Sequence, residues 1–306
     1  MNRWTAADIP DQTGRTAVVT GANSGLGLET TVGLVAKGAH VVMAGRNPDR
    51  LAAAERTVLD RVPGASLATA EIDLGSLESI CDGAAGLLDR HPRIDLLFDN
   101  AGVMAPPRSE TVDGFESQFG INHLGHFALT GRLLPALLAT DGSRVVVVTS
   151  TARKYGDIYF DDLNWQRRYR RWGAYGQSRL ANLLFAVELD RRLRKAGADM
   201  IAVAAHPGYA ATNLQSGETW IRSQVYRLGN LLLAQPAAAG AWPQLYAGTA
   251  PGVGGGALYG PDKLGGMRGF PRREPIEAKA ADPEVAFALW ERSVGETGVG
   301  FEELIS

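Results

Sequence analysis

The sequence predicts an α/β fold: one doubly wound domain with a mostly parallel, seven-stranded sheet and helices on both faces. Short, continuous apolar runs alternate with longer segments of helical periodicity, and such strands are typical of parallel sheets covered on both sides. A glycine-rich turn also follows the first strand directly, as at the start of doubly wound folds. No change of composition divides the 306 residues, so residues 1–306 are predicted to form a single domain.

The predicted strands and helices follow one another along the chain. Apolar, β-branched runs predict strands at residues 16–20, 40–44, 66–73, 94–98, 144–149, 200–205 and 257–260. Helical spacing of apolar residues predicts helices at residues 26–37, 48–61, 76–90, 114–139, 173–196, 236–247 and 283–294. Residues 14–212 carry the strongest pattern and form the predicted core. Residues 213–234 are apolar and predicted to cover a substrate, and residues 261–306 form a Gly- and Pro-rich C-terminal tail with one final helix.

Composition and charge exclude several classes of protein. Lys and Arg number 31 against 33 Asp and Glu, and this near-neutral balance argues against a nucleic-acid-binding protein. Cys81 is the single cysteine, so no internal disulfide forms and a cytoplasmic location is predicted. The first ten residues lack the apolar core of a signal peptide, and no integral membrane segment is predicted. His123 and His126 have no carboxylate or thiol partner in register, so no metal site is expected.

The glycine-rich turn predicts a dinucleotide site of the Rossmann type. Gly21 permits the tight turn, Gly25 lets the backbone reach a pyrophosphate, and Gly27 lets helix and strand pack closely. The N-terminus of the following helix offers unpaired N–H groups and a positive dipole end to the anion. The candidate pyrophosphate-binding residues are Gly21, Asn23, Ser24, Gly25, Leu26 and Gly27.

The end of the second strand indicates which dinucleotide binds. An NAD site usually places a carboxylate there to bond the ribose 2′-hydroxyl, whereas this chain has Arg46 and no carboxylate. An arginine suits a 2′-phosphate, so NADP(H) is favoured over NAD(H). The alternative is that Arg46 only ends the strand in solvent.

An ordered series of motifs resembles the short-chain dehydrogenase/reductase family over residues 14–212. The Thr-Gly-x-x-x-Gly-x-Gly turn begins the series, and the other matching residues are Asp73, Asn100, Ala101, Gly102, Asn122, Ser150, Tyr175, Pro207, Gly208 and Thr212. The segments at 113–118, 122–127 and 178–185 are similar to the retinol-dehydrogenase-like and WW-domain-oxidoreductase-like branch. The opening at 4–10 resembles actinobacterial members of that branch.

The resemblance implies a chemistry and a set of roles. Tyr175 would be the general acid/base, Ser150 would orient the substrate oxygen, and Asn122 would hold a proton-relay water. Hydride would pass between the nicotinamide and the substrate. The remaining residues that the resemblance places on the cofactor are Asp73 and Leu74 near the adenine, Asn100, Ala101 and Gly102, and Pro207, Gly208 and Thr212 at the carboxamide.

Two residues depart from the family pattern. Arg179 stands where the family's Tyr-x-x-x-Lys motif has lysine, and Asp99 stands where asparagine is frequent. Arg179 shares a helix face with Tyr175 and keeps a positive charge beside the phenol, but a guanidinium practically never gives up a proton. Because Arg179 keeps a cation beside the phenol and Asn122, Ser150 and Tyr175 are all present, the chain is predicted to be an enzyme. The alternatives are a catalytically weak NADP(H)-binding protein, and Lys154 acting in place of the missing lysine.

The sequence also predicts partners. The apolar residues of 213–234 indicate a small hydrophobic alcohol or carbonyl substrate. The basic run at 167–171 is predicted to be a solvated loop, with an anionic substrate or membrane surface as the alternative. The Tyr175 helix is apolar on more than one face, which indicates a homodimer through that helix or burial under the chain's own C-terminal segment.

Overall fold

The computed structural model describes residues 3–209 and 235–304. Its centre is an eight-stranded sheet with the order β3-β2-β1-β4-β5-β6-β7-β8. All neighbouring strands are parallel except β7 and β8, so the predicted doubly wound α/β fold is confirmed. The strands are β1 Thr16–Thr20, β2 His40–Gly45, β3 Leu67–Glu71, β4 Leu96–Asp99, β5 Ser143–Val148, β6 Met200–Ala205, β7 Leu258–Lys263 and β8 Arg268–Glu274.

Helices cover both faces of the sheet. The main helices are α1 Gly25–Val35, α2 Pro48–Arg61, α3 Leu77–Arg90, α4 Gly125–Leu138, α5 Arg171–Lys195, α6 Trp242–Thr249 and α7 Pro283–Thr297. Short helical turns lie at Ala6–Asp8, Ser117–Phe119, Gly120–Leu124, Thr151–Tyr155, Ala237–Gly240, Ala278–Ala280 and Glu302–Leu304.

Two hydrophobic cores lie on opposite sides of the sheet because strand residues alternate between its faces. In β5, Val145 and Val147 belong to one core and Val146 to the other. The first core contains residues of α3, α4, α5 and α7, and the second contains residues of α1, α2 and α6. This double coverage explains why the central strands are apolar along their whole length.

The sheet has one strand more than the seven predicted. The additional strand, β8, pairs antiparallel with β7 inside the segment predicted as an irregular tail. β8 is an edge strand in which only Pro271 and Glu274 are buried. An edge strand tolerates charged residues and proline because one row of its backbone groups has no partner strand. The sequence RGFPRRE therefore lacks the apolar signature of the central strands.

The long helix predicted at 114–139 is not regular. A short helix at Ser117–Phe119 leads into a π-helical turn at Gly120–Leu124, and α4 then continues from Gly125. A Cβ atom at Gly125 would lie 2.4 Å from the carbonyl oxygen of Leu74, so this helix passes close to the loop after β3.

The apolar face of α5 is covered by the chain itself. Leu184, Leu189 and Leu193 are fully buried, and the ring of Phe185 lies 5.9 Å from that of Trp290 in α7. Burial under the C-terminal segment, the alternative to a dimer, accounts for these residues. The excess apolar surface therefore no longer argues for a homodimer through this helix.

Thr212 and the predicted substrate-covering segment 213–234 lie outside the described residues. Within 3–209 and 235–304, every helix is too short or too polar to cross a bilayer.

Candidate active site

The candidate site lies at the carboxyl edge of the parallel strands, where doubly wound folds bind ligands. Gly21 follows β1, Asn100 follows β4, and Pro207 lies just beyond β6. Ser150 lies two residues after β5. The loops after four neighbouring strands thus bring most of the predicted residues to one edge of the sheet.

The glycine turn has the geometry of a pyrophosphate cradle. Gly21 and Gly25 have φ angles of +65° and +53°, in the left-handed region that favours glycine. A Cβ atom on Gly27 would lie 2.3 Å from the carbonyl oxygen of Gly21, so no larger residue fits there. The side chain of Ser24 makes no capping hydrogen bond to α1. The first N–H groups of α1 therefore lack a side-chain acceptor, which suits an anion.

The adenosine side of the turn carries a cation and a carboxylate. Arg46, directly after β2, is exposed and forms no ion pair with any residue that the structure describes. Asp73 follows β3 and is half-buried. Its Oδ1 accepts a hydrogen bond from Gly75 N at 2.9 Å, and its own N–H donates to Ser79 Oγ at 3.0 Å. Leu74 beside it is buried. An exposed cation and a half-buried carboxylate thus lie at the ends of β2 and β3, beside the glycine turn.

The loop after β4 is fixed to the glycine turn. The hydroxyl oxygen of Thr20 accepts hydrogen bonds from the N–H groups of Asn100 and Ala101, each at 2.9 Å. Asn100 Nδ2 donates to the Thr20 carbonyl at 2.7 Å. Gln244 in α6 donates to Asn100 Oδ1 at 3.2 Å. Sequence reasoning missed Gln244, because nothing in its local pattern connects it to a loop 144 residues away.

Asn122 lies in the π-helical turn, a distortion that is frequent at functional sites. Its Oδ1 accepts a hydrogen bond from Val103 N at 2.8 Å, and its Nδ2 donates to Val103 O and Ser178 Oγ, each at 3.0 Å. Its carbonyl oxygen lies 2.9 Å from His126 Nδ1. Burial lowers the pKa of His126 to about 4, so this imidazole is neutral and can donate to the carbonyl. Asn122 therefore joins α4, α5 and the loop after β4.

Tyr175 and Arg179 lie one turn apart in α5, and both are buried. The guanidinium carbon of Arg179 is 5.2 Å from the centre of the Tyr175 ring, and Nη1 donates to Val148 O at 3.1 Å. Nε of Arg179 is buried without a hydrogen-bond partner among the described residues. Lys154, by contrast, is exposed. The buried cation beside the tyrosine is therefore Arg179.

Close packing surrounds the guanidinium. A Cβ atom on Gly102 would lie 2.1 Å from Arg179 Nη2 and 2.9 Å from Asn122 Oδ1. A larger residue at this position would therefore displace the Arg179 guanidinium. The four predicted catalytic residues thus come from neighbouring elements. Ser150 begins the short turn after β5, and its Oγ accepts a hydrogen bond from Ala152 N at 3.2 Å.

Asp99 is fully buried at the end of β4. Burial raises the pKa of its carboxyl to about 8, and Oδ2 accepts a hydrogen bond from Thr130 Oγ1 at 2.9 Å. A protonated carboxyl has one donor and retains an acceptor, as the amide of asparagine does. A neutral acid can therefore stand in the place of the family's asparagine without burying a charge.

The basic run is held at its middle by Tyr169. The Tyr169 hydroxyl donates to Pro106 O at 3.0 Å and accepts from Gln118 Nε2 at 2.9 Å. Its four arginines are exposed, and Arg167 pairs with Asp161 at 2.8 Å. An open pocket of about 440 Å³ lies here, lined by Pro107, Tyr169, Arg170, Arg171 and Trp172.

The pocket lies beside the candidate catalytic tyrosine. The ring of Trp172 is 6.0 Å from that of Tyr175, in an edge-to-face arrangement. Sequence reasoning treated the segment as a basic loop and missed Trp172. Its position three residues before Tyr175, directly before the helix predicted at 173–196, was the available signal.

The turn after β6 is the last of the four loops at the carboxyl edge of the sheet. Gly208 has a φ of +68°, and a Cβ atom there would lie 2.4 Å from Met267 O. Tyr209 N donates to that same carbonyl at 2.7 Å. The turn therefore rests on the β7–β8 hairpin.

Comparison with known proteins agrees with this geometry. Residues 15–220 match the family model described as short chain dehydrogenase. The chain belongs to the short chain dehydrogenase family. Human retinol dehydrogenase 13 is 38% identical over 299 residues, which cover 96% of this chain and 86% of that protein. Mouse polyprenol dehydrogenase is 36% identical over 299 residues, covering 95% and 86%.

Solved structures share the fold. An uncharacterised protein from Mycobacterium paratuberculosis superposes with a TM-score of 0.82 at 42% identity, covering 98% of this chain and 99% of its own. A Beutenbergia cavernae protein with NADP bound at low occupancy gives a TM-score of 0.63 at 25% identity, covering 81% and 95%. The chain is thus an oxidoreductase by family.

Proposed function

We propose that this short chain dehydrogenase transfers a hydride between NADP(H) and a hydrophobic alcohol or carbonyl compound, with Tyr175 as the general acid/base. The observation that carries the proposal is the buried pair of Tyr175 and Arg179, with a guanidinium donor still unpaired beside it. A buried phenol with an adjacent fixed cation is the arrangement that proton transfer to a carbonyl oxygen requires.

The residues at the strand edge fit a dinucleotide. The glycine turn and the uncapped N-terminus of α1 would hold the pyrophosphate, and Asp73 would hold the adenosine. Gly102 leaves room for the Arg179 guanidinium beside the proposed cofactor site, and the Gly208 turn and Thr212 would hold the carboxamide. Hydride transfer is the chemistry that a nicotinamide supplies when bound.

The chain's own residues would move and stabilise the proton. In reduction, the Tyr175 hydroxyl donates its proton to the substrate oxygen, and in oxidation the phenolate takes it back. Ser150 Oγ orients that oxygen, and Arg179 stabilises the negative charge on the phenol. Arg179 cannot itself pass on a proton. The proton must therefore return to Tyr175 through water, for which Asn122 is the proposed holder.

Arg46 supports NADP(H) over NAD(H). It is exposed directly after β2 and forms no ion pair within the described chain, so its five N–H donors can face a 2′-phosphate. The Beutenbergia cavernae relative was solved with NADP.

An apolar substrate suits the site. Pro107 and Trp172 line the pocket next to Tyr175, and two relatives carry the names of alcohols with long apolar chains, retinol and polyprenol. We further propose that the enzyme acts in the cytoplasm, in keeping with its single cysteine, Cys81.

The test is NADPH oxidation by the wild-type protein across a panel of aldehydes and ketones, beside fluorescence titration of the cofactor. Tyr175→Phe should lower turnover by about 10²–10⁴-fold while cofactor affinity is kept, because only the acid/base group is removed. Tyr155→Phe is the matched control, since Tyr155 is 88% exposed. A wild-type protein that binds NADPH and reduces none of the panel would favour the cofactor-binding alternative instead.

A further inference from the structure

A buried ionic cluster joins the two loops that flank the proposed reaction centre. Arg153 is the largest fully buried side chain among the described residues, and it lies three residues after Ser150. Its Nη1 donates to the carbonyl oxygen of Ser150 at 3.1 Å. Its Nη2 donates to Glu274 Oε2 and to Glu277 Oε1, each at 3.2 Å. The backbone of the substrate-orienting serine is thus tied to β8.

The same carboxylate of Glu274 contacts the turn after β6. His206 Nε2 lies 3.2 Å from Glu274 Oε2, and His206 Nδ1 accepts a hydrogen bond from Gly208 N at 3.2 Å. Since Nδ1 is the acceptor, the ring proton lies on Nε2, which is close to the Glu274 carboxylate but is not aligned for a hydrogen bond with it. Burial lowers the pKa of His206, which keeps the ring neutral and Nδ1 able to accept.

Two glycines make room for this cluster. A Cβ atom on Gly260 would lie 2.1 Å from His206 Nε2, and one on Gly266 would lie 2.8 Å from Glu274 Oε1. Gln235 adds a further contact, because its Nε2 donates to Pro207 O at 2.9 Å. The β7–β8 hairpin is therefore shaped to receive the Pro207–Gly208 turn.

Stability alone gives a weak reason for such a cluster. Burying an arginine and a carboxylate costs desolvation free energy, and apolar residues of similar volume often stabilise a fold as well or better. The continuous path from Ser150 O through Arg153, Glu274 and His206 to Gly208 N indicates a geometric role instead.

We propose that Glu274, acting through Arg153 and His206, is a positioning residue that fixes the distance between Ser150 and the Pro207–Gly208 turn. This inference rests on the proposed function, in which Ser150 orients the substrate oxygen and the turn holds the nicotinamide carboxamide. Fixing both loops from one carboxylate sets the substrate carbon and the cofactor at reacting distance. A displacement of about 1 Å in such a geometry can cost 10²-fold in rate.

The experiment compares Glu274→Gln with Asp190→Asn. Asp190 is a fully buried carboxylate in an ion pair with Arg194, but it lies fifteen residues beyond Tyr175 along α5, or about 22 Å. Glu274→Gln should lower kcat by about 10- to 100-fold with little change in KM. It should also speed amide hydrogen exchange in the peptide containing residues 206–209. Asp190→Asn should lower Tm and leave kcat and this exchange unchanged.

Two His206 variants separate the links of the path. The amide oxygen of asparagine can take the place of Nδ1, so His206→Asn should keep the protection of the Gly208 amide and lose the contact with Glu274. The amide nitrogen of glutamine can take the place of Nε2, so His206→Gln should keep the contact and lose that protection. Both variants should lower kcat, because each breaks the path once.

Equal kcat and equal exchange in Glu274→Gln and the wild type would overturn the positioning role. So would a loss of kcat in Asp190→Asn that matches the loss in Glu274→Gln. Absence of NADPH binding and turnover in the wild type overturns the proposed function instead. The exchange measurement needs no cofactor, so the two failures are read from different data.

Discussion

The proposed adenosine side and the proposed reaction side of the site use arginine in opposite ways. Arg46 is exposed after β2 and forms no ion pair among the described residues, whereas Arg153 and Arg179 are buried and donate to main-chain carbonyls. Arg46 is therefore free of ion pairs within the described chain and can pair with a ligand. The buried arginines are bound to the fold before any ligand arrives. Substitution of Arg46 should therefore change selectivity at little cost in stability, whereas substitution of the other two changes the shape of the reaction centre.

The largest effect is expected from Arg179→Ala. The cation beside Tyr175 and a donor toward the ribose are lost together, so turnover should fall by about 10²–10⁴-fold and cofactor affinity should also fall. The fold should survive, because Asn182 Nδ2 still donates to Val148 O at 2.9 Å. Steady-state kinetics and cofactor titration measure both losses. Arg179→Lys should change turnover only modestly.

A matched control for Arg179 lies at the other end of β5. Arg144 Nη1 donates to Ala250 O at 2.9 Å. Arg144→Ala therefore removes a similar contact far from the carboxyl edge of the sheet, where the candidate site lies, and should leave turnover unchanged. An inactive wild type whose Arg179→Lys variant gains activity would contradict the comparison, because Arg179 would then be a lost lysine and not a working cation.

The next largest effect is a reversal of cofactor preference in Arg46→Asp. A hydrogen bond to a charged group contributes about 1.5–3 kcal/mol, so wild-type affinity should favour NADP(H) over NAD(H) by roughly 10- to 100-fold. A carboxylate would repel the 2′-phosphate and bond a 2′-hydroxyl, which reverses the order. Fluorescence titration of both dinucleotides checks this, with Arg56→Asp, on the exposed side of α2, as the control of equal charge. Equal affinities in the wild type would show that Arg46 only faces solvent.

A smaller effect is expected from the pH dependence of Asp99→Asn. An unfolded aspartate ionises near pH 4, whereas the folded pKa is about 8. Between these values the folded chain keeps a proton that the unfolded chain has released, so the contribution of Asp99 to stability falls as pH rises. The Tm of Asp99→Asn, measured relative to that of the wild type, should therefore rise as pH increases from 5 to 8. In a domain of about this size, each change of about 1 kcal/mol in the free energy of unfolding shifts Tm by roughly 2–4 °C.

Thermal melts at several pH values measure this difference. Asparagine can still accept the hydrogen bond from Thr130 Oγ1, so little packing changes with the substitution. A Tm difference that is the same at pH 5 and pH 8 would mean that Asp99 is already ionised in the folded protein.

The smallest effect is expected from the exposed basic run. Replacement of Arg167, Arg168, Arg170 and Arg171 with glutamine should leave turnover and binding to anionic lipid vesicles unchanged, because these exposed side chains are screened by salt. The same assays apply before and after substitution. A clear loss of either property would show that exposed arginines also act on the reaction side, and would favour an anionic ligand at the pocket beside Trp172.

The sequence predicted the parts of the fold that depend on local pattern. The strand Met200–Ala205 was predicted with its observed bounds, because a continuous apolar run between two turns admits few other structures. β8 was not predicted, because Arg268–Glu274 is rich in charged residues and has no continuous apolar run. Two glycines, at 265 and 266, also lie shortly before it. Its structure depends on pairing with β7, which is a tertiary contact.

In the candidate site, too, the residues related by local spacing could be predicted, and those that meet only through tertiary contacts could not. Tyr175 and Arg179 could be placed on one helix face from their spacing, and the structure brings their side chains together. Arg153 and Glu274 could not be predicted as a buried pair, because charged residues are usually solvated and 121 residues separate them.

The separation of Arg153 and Glu274 has a consequence for the order of folding. Contacts between residues so distant in sequence are costly in chain entropy and typically form late. β8 of this hairpin is also an edge strand, with β7 as its single neighbouring strand. Local unfolding of such an edge needs less free energy than global unfolding. We therefore expect heat or denaturant to detach the hairpin first, abolishing activity while the apolar strands β1 to β6 and their helices are still folded.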